Sequence, residues 1–505
     1  MDKSNHHIKK YIEYHEEYQK KYGENTIVLM QSGSHFNIFS VINDEISKGP
    51  DIYHICQNIL NNALQVTRQN KKNKEVSFSN CLLAGFPIYV VQKYENILLN
   101  HNYTVVIVEQ ITPPPNPERG VTRVISPGTS MNDYNKNENH FLMSIYIECN
   151  EYMNKDVYIS GISVIDLSTG KNYLHYCISK IDDNQLWIDE IGKFIHFYNP
   201  SELLFHFKNF SLTQNEIIQM WDISHNSIQI NQYSENKNYL KTTFQNDFLQ
   251  KIFKLNIMMT PIEHFDLETK TELVLSYLYL LLYINDHVAE TLTNIELPEY
   301  INDNHCLCLT SNSIRQLNVI NNYSYFKGKN ESLLSVCNLC VTPMGRRLFK
   351  ERLLYPSLDI DIIEGRYDMI DLYRDDDFYE GVIKILRKVS DLEKSLRKMG
   401  LNMLQPNDFF SDTLSYDYII KLLELFNEKH NVLKKYDVEP IAMFQEFYQE
   451  CKSSFIFHNL SQTSILHKSI FQKNVNTDMD TYDNLTTCYY GIFESLAKRF
   501  SKLLD

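Results

Sequence analysis

Five consecutive residues near the N-terminus, Gly33-Ser34-His35-Phe36-Asn37, bring together groups that touch bases: two rings and an amide directly after a glycine turn. Rings on a projecting edge wedge between bases or stack on unpaired ones, and a neighbouring amide can hydrogen-bond a base edge. The structural alternative is that Phe36 alternates inward as core while His35 faces water. Taken alone, the five residues favour that alternative. Arg68, Lys71, Lys72 and Lys74, in the run RQNKKNK, form either a solvated hairpin tip or a set of phosphate contacts, as do Arg119 and Arg123 further on.

Other chemistries fit less well. Each Gly-Lys pair (Gly170-Lys171, Gly192-Lys193, Gly328-Lys329) lacks the following Ser/Thr and the upstream glycine of a phosphate-binding P-loop. Cys306-x-Cys308 and Cys337-x-x-Cys340 suggest zinc. However, Cys337 and Cys340 fall on a helical apolar stripe with Leu333, Leu334 and Val341, where a thiol acts as a small hydrophobe. A two-metal nuclease needs several convergent carboxylates. Asp166 stands on a strand, but Asp182, Asp183, Asp189 and Glu190 belong to a turn and a helix start. No catalytic residue and no metal ligand is expected.

The elements that must position these residues follow from periodicity. Ile8–Tyr22 is an amphipathic helix, Thr26–Met30 and Phe36–Val41 are strands turning at Gly33, Ile52–Ala63 and Gln92–Asn100 are helices, and Thr104–Gln110 is a buried strand. This α/β unit ends near Thr129. The proline-rich Pro113–Gly120 reads as a stiff loop and Asn132–His140 as a linker. Strands at Met143–Cys149, Val157–Leu167 and Asn172–Ile178, a helix at Asp189–Phe197 and a strand at Glu202–Phe207 make a second α/β domain reaching residue 255. Helical spacing then dominates: Leu273–Asn285, Glu331–Asn338, Pro343–Leu354, Ile360–Tyr373, Phe378–Arg387, Tyr416–His430 and Asp480–Leu504. Thr342-Pro343 supplies an N-cap hydroxyl and a proline at the first helical position, and Asp359 can cap the next helix.

The 505 residues carry a net charge of −14 from 49 basic and 63 acidic side chains, which excludes a generic polycation; any nucleic-acid contact needs a local basic surface. The apolar run Leu273–Ile284 is too short to span a bilayer and reads as a buried helix, so no membrane partner is expected. Ten cysteines without a secretory signal fit thiols in a reducing, intracellular compartment.

Ala84-Gly85-Phe86-Pro87 with the helix after it, Val108-Glu109-Gln110-Ile111, and Val124-Ile125-Ser126-Pro127-Gly128-Thr129 resemble the mismatch-recognition domain of the MutS family. Tyr158–Lys171 resembles the first hairpin of the MutS connector. Val341–Leu348, followed by Asp391-Leu392-Glu393-Lys394, is similar to the start of its helical lever. The proline-rich insert and MQSGSHF are similar to the branch found in giant DNA viruses and octocoral mitochondria.

The resemblance implies a multidomain fold of α/β plus all-α parts. These are a mismatch-recognition α/β domain over 1–132, an RNase-H-like connector over 140–255 and a helical lever over 265–505. It also implies binding of mismatched double-stranded DNA in DNA mismatch repair, with His35, Phe36 and Asn37 standing where the family carries a Phe-x-Glu probe. An imidazole stacks more weakly than a phenyl ring, and an amide donates as well as accepts. Family members carry an ATPase at their C-terminus, with most of the dimer contact. This chain is expected to stop within the lever, so ATP and magnesium belong to a missing C-terminal part or a second chain. A nuclease module, where related viral and coral proteins have one, lies beyond that ATPase. The alternative is an interaction scaffold derived from a MutS protein that no longer binds DNA. A viral source would put the protein in the viral factory or host cytoplasm.

Overall fold

Strand β1 (Thr26–Ser32) reads TIVLM over its first five residues and is buried on both faces, so both faces of its sheet must be covered. The covering elements flank it in sequence. Helix α1 (Lys3–Tyr22) lays Ile8, Tyr11 and Ile12 on one face, against Val28 and Met30. On the other face, α2 (Ile52–His54) continues as a π-type turn, Ile55–Ile59, and with α3 (Val91–Asn100) packs on Ile27 and Leu29. The remaining strands are β2 (His35–Ile42), β3 (Ser47–Lys48), β4 (Thr67–Arg68), β5 (Leu82–Pro87), β6 (Thr104–Gln110) and β7 (Arg119–Ile125). The sheet runs β4-β5-β2-β1-β6-β7, with β3 against β2, and only β1 and β6 are parallel. The expected helix over Ile52–Ala63 is thus a short helix with a π-type turn, ended by Asn61 and Asn62 at positive φ. The stiff loop expected to reach Gly120 gives way to strand β7 at Arg119.

A second sheet is built from β8 (Phe141–Tyr152), β9 (Lys155–Asp166), β10 (Asn172–Ile178), β11 (Glu202–Lys208), β12 (Ser227–Ile230) and β13 (Glu299–Tyr300), in the order β12-β11-β8-β9-β10-β13. Strands β8, β9 and β10 are mutually antiparallel, while β11 joins β8 in parallel. Helices α4 (Leu186–Tyr198) and α5 (Gln214–Trp221) cover one face. Helices α6 (Thr242–Phe253) and α7 (Pro261–His264) lead to α8 (Thr271–Val288), which covers the other.

Helix α8 is buried all round from Leu273 to Ile284 and shares one core with α1, β7 and the second sheet. Two of its buried hydroxyls donate across to the second sheet: Ser276 Oγ to Ser144 O at 2.8 Å, and Tyr277 Oη to Asn172 at 2.6 Å. Gly161 of β9 lets it approach, since a Cβ there would lie 2.5 Å from Leu273 Cα. Among the described residues no helix is long and apolar enough to cross a membrane.

The computed structural model describes all residues except 1–2, 44–45, 74, 113–116, 131–138, 181, 184, 224–226, 232, 234–235, 302–305, 308, 321–330, 373, 375, 431–437, 462–468 and 505. Most of the expected linker at 132–140 and part of the proline-rich segment therefore lie outside the described residues. The chain divides into two units, Met1–Asn304 with Cys308–Ser335, and His305–Leu307 with Val336–Asp505. The helical domain expected from residue 265 is thereby divided: α8 sits in the first unit because its apolar surface is completed by the second sheet. Helix α9 (Ser311–Gln316) also belongs to that unit, and the boundary falls within α10 (Leu333–Cys337), after Ser335.

The second unit is helical: α11 (Pro343–Leu354), α12 (Ile360–Leu372), α13 (Asp376–Leu386), α14 (Leu392–Gly400), α15 (Pro406–His430), α16 (Val438–Ser454), α17 (Phe457–Leu460) and α18 (Thr477–Leu504). Thr342 caps α11 by accepting from Gly345 N, with Pro343 at the first position, and Asp359 accepts from Asp361 N at 2.9 Å. Arg347 forks onto Asp391 at 2.6 and 2.8 Å and onto Glu393 at 2.6 Å. Burial works to lower the Arg347 pKa, but the two carboxylates outweigh it and raise it.

Two glycines give opposite expectations. Gly161→Ala forces α8 off its sheet and should lower stability by about 1–3 kcal/mol. Gly365→Ala, in α12 with nothing within 4 Å of the new Cβ, should raise it by about 0.5–1 kcal/mol. Urea titration of both variants beside the parent checks the pair.

Candidate nucleic-acid interface

Strands β1 and β2 are joined by Gly33 and Ser34, and Gly33 takes φ +61, a conformation that favours glycine. His35 opens β2 and is exposed. Strand alternation then turns Phe36 to the opposite face, where it is 1% exposed in the core beside Phe86, with ring centroids 6.3 Å apart. This corrects the expectation of two rings at the tip: Phe36 is core, and His35 is the ring on the surface. Asn37 shares the face of His35 and lies across β5. A Cβ on Gly85 would come within 2.0 Å of its Oδ1, so the glycine of Ala84-Gly85-Phe86-Pro87 makes room for the Asn37 amide.

The turn is braced from neighbouring strands. Gln31 Nε2 donates to Gly33 O at 3.1 Å, and Gln31 Oε1 accepts from Gln110 N at 2.9 Å. With its carboxamide oxygen facing the turn, Gln110 accepts from Gly33 N at 3.0 Å and from Arg119 Nη2 at 2.9 Å. Arg119 Nε donates to Gln31 O at 2.8 Å. Lys10 Nζ and Tyr14 Oη of α1 both donate to Arg119 O at 3.3 Å. Arg119, expected as a phosphate contact, is therefore half-buried and forked onto the turn, with burial holding its pKa down.

The other expected contacts lie apart from this tip. Arg68 pairs with Leu82 at the far end of β5 from Pro87, which faces His35. Five residues of strand separate these ends, about 17 Å at ~3.4 Å per residue. Lys71 and Lys72 are exposed on the loop after Arg68, and Lys74 lies outside the described residues. Buried Asn80 shapes that loop, accepting from Asn70 N at 2.7 Å and donating to Asn73 O at 3.1 Å and Glu75 O at 2.7 Å. Arg123, on the opposite edge strand, pairs with buried Glu95 at 3.4 Å. Burial raises the Glu95 pKa, and Arg123 works against that rise.

Sequence reasoning missed the bracing residues Gln31, Gln110, Lys10 and Tyr14, whose roles depend on pairings between distant segments. It also missed Tyr89, on the 3-10 turn Ile88–Val90 beside the tip and 86% exposed. Elsewhere, Asp166 accepts from Ser168 N at 2.9 Å, Ser168 Oγ at 2.7 Å and Thr169 Oγ1 at 2.8 Å, and so organises a turn. Cys340 lies beyond the end of α10 instead of on the expected helical stripe, because Thr342-Pro343 starts a new helix there. Cys308 is outside the described residues. Among the described residues no group of three His, Cys, Asp or Glu side chains could hold a metal.

A double-covered sheet with a braced turn, a second sheet packed through a shared helix, and a helical unit define a multidomain protein of mixed α/β and helical architecture. Family comparison gives it a kinship. The model of MutS domain I matches residues 52–134, and that of MutS domain III matches residues 312–504. A mutS homologue of Acanthamoeba polyphaga mimivirus is 27% identical over 98% of this chain and 46% of its own length. The DNA mismatch repair protein MutS of Caldanaerobacter subterraneus is 29% identical over 73% of the chain and 40% of its own length. That of Petrotoga mobilis is 23% identical over 97% of the chain and 53% of its own length. The chain spans about half the length of these curated relatives, and it belongs to the MutS family of DNA mismatch repair proteins. The domain I match takes in Gln110 and Arg119 but begins after the Gly33 turn.

Arg119→Ala should free the turn, speeding amide exchange at Gly33 and Gln110 at least tenfold while global stability moves by about 1 kcal/mol or less. Arg119→Lys should not restore protection, since a single ammonium cannot reproduce the fork. Exchange measured by NMR decides both. Arg123→Ala should raise the Glu95 midpoint further. A carboxyl whose folded pKa is raised destabilises the fold once ionised, so the variant's deficit, about 1 kcal/mol at neutral pH, should shrink as pH falls through that midpoint. Chemical denaturation across pH 4–7 reads this out.

Proposed function

We propose that this chain is the DNA-reading part of a mismatch repair protein and that it engages double-stranded DNA at a mispaired step through the Gly33 tip. The observation that carries this reading is the exposed His35 on a turn held rigid by Gln31, Gln110 and Arg119, inside a chain that matches MutS domain I. A rigid projecting ring suits a step already weakened by mispairing, where unstacking costs least. Asn37 lies on the same face, within reach of a base edge once its amide leaves Gly85. Lys9 and Lys10, on the helix beside Arg119, supply positive charge along this edge. Lys71, Lys72 and Arg68 form a second basic site on the far corner.

The order β10-β9-β8-β11-β12, three antiparallel strands followed by two parallel ones, supports reading the second sheet as the RNase-H-like connector. The domain III match and the Arg347–Asp391–Glu393 cluster, which joins the two sequence motifs compared with the lever, support that reading of the helical unit. Nucleotide chemistry is not assigned to these residues. A second reading, an interaction scaffold that no longer binds DNA, draws on Phe36 in the core and on the net charge of −14.

Electrophoretic shifts on matched and singly mismatched duplexes, at two salt concentrations, separate the readings. DNA reading expects retention of both duplexes at low salt, steep weakening with salt, and a several-fold preference for the mismatch that His35→Ala removes. His35→Phe with Asn37→Glu should sharpen that preference. If neither duplex is retained even at low salt, the scaffold reading stands.

A further inference from the structure

With Phe36 in the core, the tip presents one imidazole to DNA, a weak stacking surface. The same corner carries a larger ring. Tyr89 lies two residues beyond Pro87, which faces His35 across the β2–β5 ladder. Ile88 N donates to Ser34 O at 3.0 Å, tying the segment to the turn. Pro87 fixes the approach at φ −63, and α3 begins at Val91 and buries Tyr94, Leu98 and Leu99. The Tyr89 backbone is therefore held on both sides, while its ring is 86% exposed and has no hydrogen-bond or ring partner among the described residues. Lys93, four residues on, is exposed on the first turn of α3, with its ammonium 5.7 Å from the centroid of the Tyr94 ring. A rigidly mounted aromatic face followed by an exposed lysine on the next helical turn offers the two chemistries a nucleotide needs: a π-surface for the base and a positive charge for a phosphate.

We infer that Tyr89 is a second DNA-contacting ring, stacking on a base beside the step that His35 enters, with Lys93 on the phosphate of the same strand. This rests on the reading of the tip as a DNA interface and names the residues that share the contact. A core role is excluded for Tyr89 by its exposure, so removing the ring leaves the fold intact.

The test uses the full chain and a duplex carrying one mismatch with 2-aminopurine beside it. Tyr89→Ala should weaken mismatched binding about tenfold and abolish the quenching of 2-aminopurine that stacking produces, with the melting temperature unchanged. Tyr89→Phe should keep both affinity and quenching. Lys93→Ala should weaken matched and mismatched binding alike and reduce the salt slope by about one. If the parent chain prefers the mismatch and Tyr89→Ala binds and quenches as the parent does, the inference is overturned while the DNA reading survives. If the parent retains neither duplex, both are overturned.

Discussion

The carboxylate of Glu202 holds the first unit together. It is fully buried at the start of β11. One oxygen accepts from Ser126 Oγ at 2.5 Å and from Gly128 N at 3.2 Å, and the other accepts from Tyr283 Oη of α8 at 2.8 Å. Three pieces of chain meet there: the segment leaving β7, the second sheet and the helix shared between the two sheets. Taking a carboxyl group out of water is expensive, and losing one hydrogen-bond partner from such a set typically costs about 1–3 kcal/mol. A hydrophobic cluster of the same volume could be as stable, but it would not fix the direction in which β7 leaves its sheet. Gly128 is part of this arrangement, since a Cβ there would sit 2.7 Å from Glu202 Cβ.

From that anchor, positioning passes along α8 to the tip. Tyr283 packs against His287 with the rings tilted and their centroids 4.0 Å apart, and His287 in turn lies 4.8 Å from the ring of Tyr22 at the end of α1. Burial pushes the His287 pKa down to about 3, so the imidazole is neutral and packs as a ring. Lys21 pairs with Asp286 beside it. Helix α1 is thus fixed at its C-terminal end by α8 and delivers Lys10 and Tyr14 to the carbonyl of Arg119, whose guanidinium holds the turn. The chain of contacts from Glu202 to His35 runs first through packed rings and then through the hydrogen bonds of Lys10, Tyr14, Arg119, Gln31 and Gln110. It braces the short Gly33 turn from several segments distant in sequence.

Much of this was legible where a residue's role is local. The TIVLM strand, the Asn172–Ile178 strand, the Pro343–Leu354 helix with its Thr342 cap, and the Gly33 turn all follow from spacing and from the conformations that Gly and Pro favour. The direction of Phe36 was not legible, because helices cover both faces of its sheet. Phe39 and Val41 are buried on the face of His35, while Phe36 and Ile38 are buried on the other, so alternation marks no solvent side. Arg119 read as a surface cation because its partners come from residues 31 and 110. Helices α5, α6, α14 and α16 escaped notice because polar residues interrupt their apolar spacing. The 34 tyrosines added to the difficulty: one residue type serves as buried hydrogen-bond donor at 277 and 283 and as exposed ring at 89.

On the proposed reading, the acidic balance of the whole chain works with the tip. At physiological ionic strength the field of an exposed charge fades within about 8 Å, so carboxylates on the distant parts of the body barely weaken contacts made by Lys9, Lys10 or Lys93. They do oppose the approach of an unmarked duplex at arbitrary orientations, which a uniformly basic protein would welcome. Non-specific affinity falls while the local contact at a yielding base step is kept. Discrimination depends on the difference between those two affinities. An acidic body carrying a small, rigid, basic-edged corner therefore serves a reader of rare defects better than a strong general DNA binder would.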